Sequence, residues 1–231
     1  MHLLYVTLTE QEKRLGAVWL AIVCLSCLVF PLRPGAAAEG LYQGVLLLGT
    51  VLIFRKFLAA SLRVPLTTPG QILKMAFLGL TLAGLANLLT NDLLYYFFPR
   101  YFFYNDTGPH FYNVMKEEVL RSHLSKNFPL TAVTVIVFVP LWEETLHQGL
   151  VFGALVRKNL PLAYGVSIAL YSLLPVIPLL GTNPPVYILL SFIQYIPISV
   201  LFAWVYTRTE TILTPVLAHM AMNAVSIFAM R

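Results

Sequence analysis

Residues 128–156 read FPLTAVTVIVFVPLWEETLHQGLVFGALV, an apolar run with three ionisable side chains, Glu143, Glu144 and His147, near its middle. An apolar window of about 17 or more residues is long enough to cross the hydrocarbon core as a helix. This run is longer than a crossing needs, which predicts a tilt, a kink or an interfacial end. Six similar windows lie at about 15–33, 41–60, 72–98, 161–181, 185–207 and 209–230. Strands of a membrane barrel would appear as alternating segments of about ten residues, and that pattern is missing from the chain. The expected fold is therefore all-α: a polytopic transmembrane bundle of about seven spans.

Composition supports this reading. The chain of 231 residues is 58% hydrophobic and 11% charged, with a mean hydropathy of +0.78. A soluble domain of this size covers itself with roughly 25% charged residues, so much of this surface must face lipid. The net charge of +5 comes from short basic clusters between apolar runs. Nucleic-acid binding wants a continuous basic face, so no nucleic-acid partner is expected. Cys24 and Cys27 form a C-x-x-C spacing inside the first window, where two packed thiols are the plainer reading than redox or metal chemistry.

Ala36, Ala37 and Ala38 follow the first window as at a signal-peptide cleavage site. Glu10 and Glu12 in the leader, and Arg33 and Pro34 before the alanines, favour a retained helix instead. Nine Lys and Arg fall on the side of the N-terminus and six on the other, which predicts a cell-membrane protein with a cytoplasmic N-terminus. Tyr and Phe crowd residues 95–112, as at a membrane–water boundary. Residues 114–126 mix Val119, Leu120 and Leu124 with five charges, which predicts an amphipathic helix lying on the membrane surface. The Glu pair at 117–118 belongs to that solvated face. Two parts follow: N-terminal helices with the interfacial segment over 1–127, and a core over 128–231 that holds the chemistry.

An ionisable side chain inside a spanning helix costs roughly 3 kcal/mol on insertion scales, so it is a functional hypothesis by default. On an α-helix, His147 lies one turn from both Glu143 and Glu144, and Gln148 one turn from Glu144. The last window adds His219 and Asn223, also one turn apart. Asn87, Asn91, Asp92 and Gln194 read as polar glue between helices or as helix ends. A carboxylate kept from bulk water can act as general base on a water molecule, with His219 and Asn223 donating hydrogen bonds to the oxyanion. Alternatively, Glu and His side chains can bind zinc, which acidifies its bound water.

These motifs resemble the CAAX-protease and bacteriocin-processing family of intramembrane proteases. That family carries E-E-x-x-x-R followed by Gly or an aromatic, then F-x-x-x-H, then H-x-x-x-N, on successive helices. The first motif is similar to Glu143-Glu144-Thr-Leu-His-Gln148-Gly149, and the third to His219-Met-Ala-Met-Asn223, so the likeness covers about residues 128–230. It implies an endopeptidase with Glu143, Glu144, His219 and Asn223 as catalytic residues, acting on a membrane-associated peptide or protein in the lipid bilayer. Two positions depart from the pattern. Gln148 stands where the family has Arg, and near Tyr171-Ser-Leu-Leu-Pro175 a proline occupies the place of the second-motif His. His147 offers a replacement: Glu144-x-x-His147 has the spacing of carboxylate-bridged metal sites in bundles, so Glu143, His147 and His219 are candidate zinc ligands. The competing readings are a catalytically impaired relative that binds, scaffolds or confers immunity, and a transporter using its membrane carboxylates.

Overall fold

The computed structural model describes residues 6–29, 35–63, 69–99, 112–181 and 183–230, and every regular element among them is helical. In chain order these are α1 (Glu10–Val29), α2 (Ala36–Ile53), α3 (Arg55–Ser61), α4 (Pro69–Phe97), α5 (Tyr112–Lys126), α6 (Phe128–Leu155), α7 (Leu160–Leu173), α8 (Pro185–Thr209) and α9 (Leu213–Ala229). A 3-10 turn over Leu174–Leu179 extends α7.

The all-α membrane bundle expected from the sequence is what forms. Among the described residues, five helices are long and apolar enough to cross a membrane: α2, α4, α6, α7 with its 3-10 extension, and α8. The last window is apolar but shorter, 17 residues in α9. The first is not among the five, because α1 starts at Glu10 and its first turns hold Glu12, Lys13 and Arg14. The second window breaks at Phe54, ahead of Arg55 and Lys56, so that α3 is a separate helix. A helix, α5, covers the stretch 114–126. Of the aromatic-rich stretch, residues 100–111 lie outside the described part.

Exposed and interior faces separate along α2. On α2, Leu41, Val45, Leu48 and Leu52 are exposed at helical spacing, while Gly40, Gln43, Leu46 and Thr50 are buried. Apolar side chains that remain exposed in such stripes are what a bilayer solvates. The interior joins both halves of the chain: Val23, Leu46, Phe54 and Phe57 pack in one cluster with Trp142, Leu146, Phe152, Tyr206 and Ile212. Helices α4, α8 and α9 pack together, and α7 lies against α6 and α8. Gly49 marks the close approach of α1 to α2, since a Cβ there would stand 2.3 Å from the Trp19 ring. The indole N–H of Trp19 donates to Thr50 Oγ1 at 3.0 Å across the same contact. Between α4 and α8 the Gln194 amide donates to Asn91 Oδ1, which is the interhelical glue expected of those residues.

The start of α1 is held by Glu12. Its Oε2 accepts from the Thr9 N–H at 2.9 Å and the Thr9 hydroxyl at 2.8 Å, while the Glu12 N–H donates to Thr9 Oγ1 at 3.2 Å. This reciprocal capping box satisfies donors at the helix start. The other oxygen, Oε1, accepts the Phe57 N–H of α3 at 3.0 Å, so one carboxylate ties two helices. Burial pushes this carboxyl up, yet the hydrogen bonds from the Thr9 and Phe57 amides, the Thr9 hydroxyl and the Lys56 amide together hold it below its ordinary value. A carboxyl depressed in the folded state stabilises above its unfolded pKa and loses that contribution as pH falls through its folded pKa. Glu12→Ala is therefore expected to cost about 1–3 kcal/mol at neutral pH. Thermal melting in detergent checks this: the difference between wild type and variant should shrink on acidification, and a pH-independent gap would contradict the assignment.

Candidate active site

Helix α6 is not a regular α-helix. Thr134–Phe138 and Thr145–Phe152 are π-helical, and a short α-helical stretch, Val139–Glu144, lies between them. Pro140 accounts for the first: it has no N–H, and its ring crowds the carbonyl four residues back, that of Ile136. The ladder adapts by widening, and the Val139 N–H donates to the Thr134 carbonyl five residues back. In the second, the Gly153 N–H reaches the Gln148 carbonyl in the same way. Such widened turns occur mostly as local insertions in α-helices, frequently at functional sites. Glu143 and Glu144 end the α-helical stretch between them.

The rotation of that stretch is fixed from α2. The Trp142 indole N–H donates to Gln43 Oε1 at 2.8 Å, and the Gln43 amide donates to Glu39 Oε1 at 2.7 Å. On the opposite side stands His219 of α9. Its Nδ1 is 2.8 Å from Glu144 Oε1, and its Nε2 is 4.0 Å from Glu143 Oε2. One imidazole thus has a carboxylate at each ring nitrogen. The two carboxylates differ in setting: the Glu144 side chain is wholly buried, whereas that of Glu143 is 25% exposed.

Aromatic side chains surround the pair. The His219 ring lies 5.2 Å from Phe202, Phe202 lies 6.1 Å from Tyr171, and Tyr171 packs edge-on to His147 at 4.9 Å. The Tyr171 hydroxyl is a neighbour of both carboxylates. A low-polarity wall of this kind strengthens each electrostatic contact inside it.

Of the residues read from the sequence, Glu143, Glu144 and His219 come together. Asn223 is one turn beyond His219, and its amide N–H donates to the Val135 carbonyl of α6 at 2.8 Å. His147 is buried with its Nδ1 unpartnered, and its carbonyl accepts from the Ser167 hydroxyl at 3.2 Å. His147 follows Glu143 and Glu144 across the start of the wide turn at Thr145. Gln148 is fully buried with both polar atoms unpartnered. Gly149 of the first motif admits Phe57, since a Cβ there would stand 2.8 Å from that ring. Pro175 falls where α7 passes into its 3-10 turn, because it has no N–H to offer the Tyr171 carbonyl. Among the described residues no three His, Cys, Asp or Glu side chains are arranged to hold a metal ion. Glu144 engages Nδ1 of His219 and leaves Nε2, which lies 4.0 Å from Glu143 Oε2.

Three features escaped sequence reasoning: the π turns, the Trp142–Gln43 clamp and the place of Tyr171 beside the carboxylates. Pro140 inside an apolar run, and Gln43 inside another, were the available signals.

The class these features define is a multi-pass helical membrane protein with a carboxylate–imidazole site between its helices. Residues 125–225 match the family described as Rce1-like, type II CAAX prenyl endopeptidase, which bears out the resemblance to the CAAX-protease and bacteriocin-processing family. The match takes in α6 and most of α9, with Glu143, Glu144, His219 and Asn223 inside it. No curated protein matches the chain, and no solved structure does.

The unequal burial of the two carboxylates has a measurable consequence. Glu144→Leu leaves a buried imidazole nitrogen without its partner and should cost about 1–3 kcal/mol. Glu143→Leu should cost clearly less, because its side chain keeps access to the outside of the protein. Melting temperatures of both variants in one detergent test this, and equal losses would speak against the separate roles.

Proposed function

We propose that the chain is an intramembrane endopeptidase that cleaves a membrane-associated peptide or protein segment at Glu143, Glu144 and His219. The observation that supports it best is the imidazole set between two carboxylates of unequal burial. Glu143, the more accessible, takes a proton from water as the oxygen attacks the scissile carbonyl. Glu144 accepts from Nδ1–H and so fixes the ring, the part a buried carboxylate plays toward a histidine in hydrolytic triads. Nε2–H then donates to the oxyanion as the tetrahedral intermediate forms. When the intermediate collapses, the C–N bond breaks and the proton held by Glu143 passes to the leaving amine. No step of this scheme is routed through a metal ion.

A second reading rests on Gln148 and Pro175. Loss of the family's Arg and second His fits a relative that binds peptides without cleaving them, as in immunity or scaffolding. Cleavage of membrane peptides by the protein in liposomes separates the two. Glu143→Ala should lower kcat by about 10²- to 10⁴-fold, the usual contribution of a general base. Full activity in that variant would remove Glu143 from the role, and no cleavage by wild type of any member of a substrate library would favour the binding reading. Metal analysis of the same sample tests zinc: stoichiometric zinc that disappears in His147→Ala would establish Glu143, His147 and His219 as its ligands.

A further inference from the structure

The Val135 carbonyl lies in the π turn that precedes the Glu pair, and helix geometry sets two backbone donors against it. The α-helical donor, the Val139 N–H, is used by the Thr134 carbonyl. The π-helical donor would be residue 140, which is proline and has no N–H. A backbone carbonyl left without a partner inside the bilayer costs several kcal/mol. The donor that reaches it is the side-chain amide of Asn223, at 2.8 Å from α9. Asn223 is one helical turn from His219, and Val135 is about two turns ahead of Glu143 and Glu144.

We infer that Asn223 is a positioning residue: it clasps α9 to the carbonyl orphaned by Pro140 and so sets the distance between His219 and the two carboxylates. This rests on the endopeptidase reading only for its catalytic consequence; the clasp itself is a matter of hydrogen bonding. The role differs from direct donation to an oxyanion, because the amide N–H is directed at Val135 and acts on the reaction through the placement of His219. Pro140 and Asn223 form one device. The proline removes a donor, the widened turn presents the carbonyl sideways, and a helix 88 residues away in sequence answers it.

The device predicts a specific suppression. Asn223→Leu keeps the volume and removes the donor, and should lower kcat by on the order of tenfold to a hundredfold, as expected of a small misplacement. Pro140→Ala returns a backbone N–H near Val135, so the same Asn223→Leu change should cost less than about threefold in that background, a coupling that a double-mutant cycle isolates. Nitrogen-15 NMR of the five labelled histidines, with His219 assigned by a His219→Asn variant, gives a readout independent of cleavage. The His219 ring signals should move in Asn223→Leu and return in the double variant. An equal kcat loss in both backgrounds with unmoved His219 signals would overturn the clasp and place the amide at the reacting atoms. If no variant cleaves any peptide while the signals move and return as expected, the clasp stands and the endopeptidase reading falls. Should Pro140→Ala fail to fold, Asn223→Gln decides. It retains the donor on a longer arm and should keep the His219 signals nearer to wild type than Asn223→Leu does; signals as displaced as those of the Leu variant would overturn the inference.

Discussion

Glu144 and His219 meet at 2.8 Å in a part of the bundle where neither has another medium to turn to. A carboxylate withdrawn from water is tolerated only when its oxygens find donors. Here the main donor comes from a helix 75 residues away in sequence. That single contact joins α6 to α9 and sets the imidazole so that its second nitrogen faces Glu143. Phe202 then packs against the ring and Tyr171 against Phe202. Remove the contact, and the side chains around it lose the reference that orients them.

The helix holding the two carboxylates has been made irregular to place them. A continuous α-helix over Phe128–Leu155 would stack residues three and four apart along one face. Widened turns on either side of Val139–Glu144 break that stacking, so the Glu pair can face α9 while the following residues turn into the protein. From Thr145 to Phe152 every residue is buried. The exchange is local: regular backbone bonds are given up at Pro140, and side-chain bonds from Trp142 to α2 and from Asn223 to Val135 restrain the result. Irregular backbone at membrane depth is tolerated where protein surrounds it, which is the situation of this segment.

Much of this was legible before any coordinates. Hydropathy alone separates the spanning helices, because the bilayer allows few solutions. The cost of charge in hydrocarbon picks out Glu143, Glu144 and His219. What reading missed lay in backbone geometry. The widened turns on either side of Val139–Glu144 leave no mark in hydropathy, since the apolar run continues through them. Asn223 was grouped with His219 correctly by spacing, yet its amide is directed at Val135, a carbonyl whose availability depends on which donors Pro140 displaces. Hydrophobic pattern does not encode that choice. The break at Phe54 was similarly hidden, since the apolar window continues across it.

The two departures from the family motifs have different physical weight. Pro175 removes an imidazole, but it also ends the α-helical run of α7 and leads it into a 3-10 turn just past Tyr171, whose hydroxyl neighbours both carboxylates. The loss is thus of a titrating group, while an aromatic wall with one hydroxyl remains. Gln148 stands where the family motif has the charged Arg, and its buried amide has no partner at either end. With that cation absent, His219 is the one basic side chain bonded to Glu144 among the described residues. A guanidinium presents five donors in a rigid planar fork, whereas an imidazole offers each neighbour a single ring nitrogen. The hydrogen bonding of Glu144 Oε1 therefore rests on one nitrogen of one ring, and its geometry is only as well fixed as the packing of Phe202 against that ring.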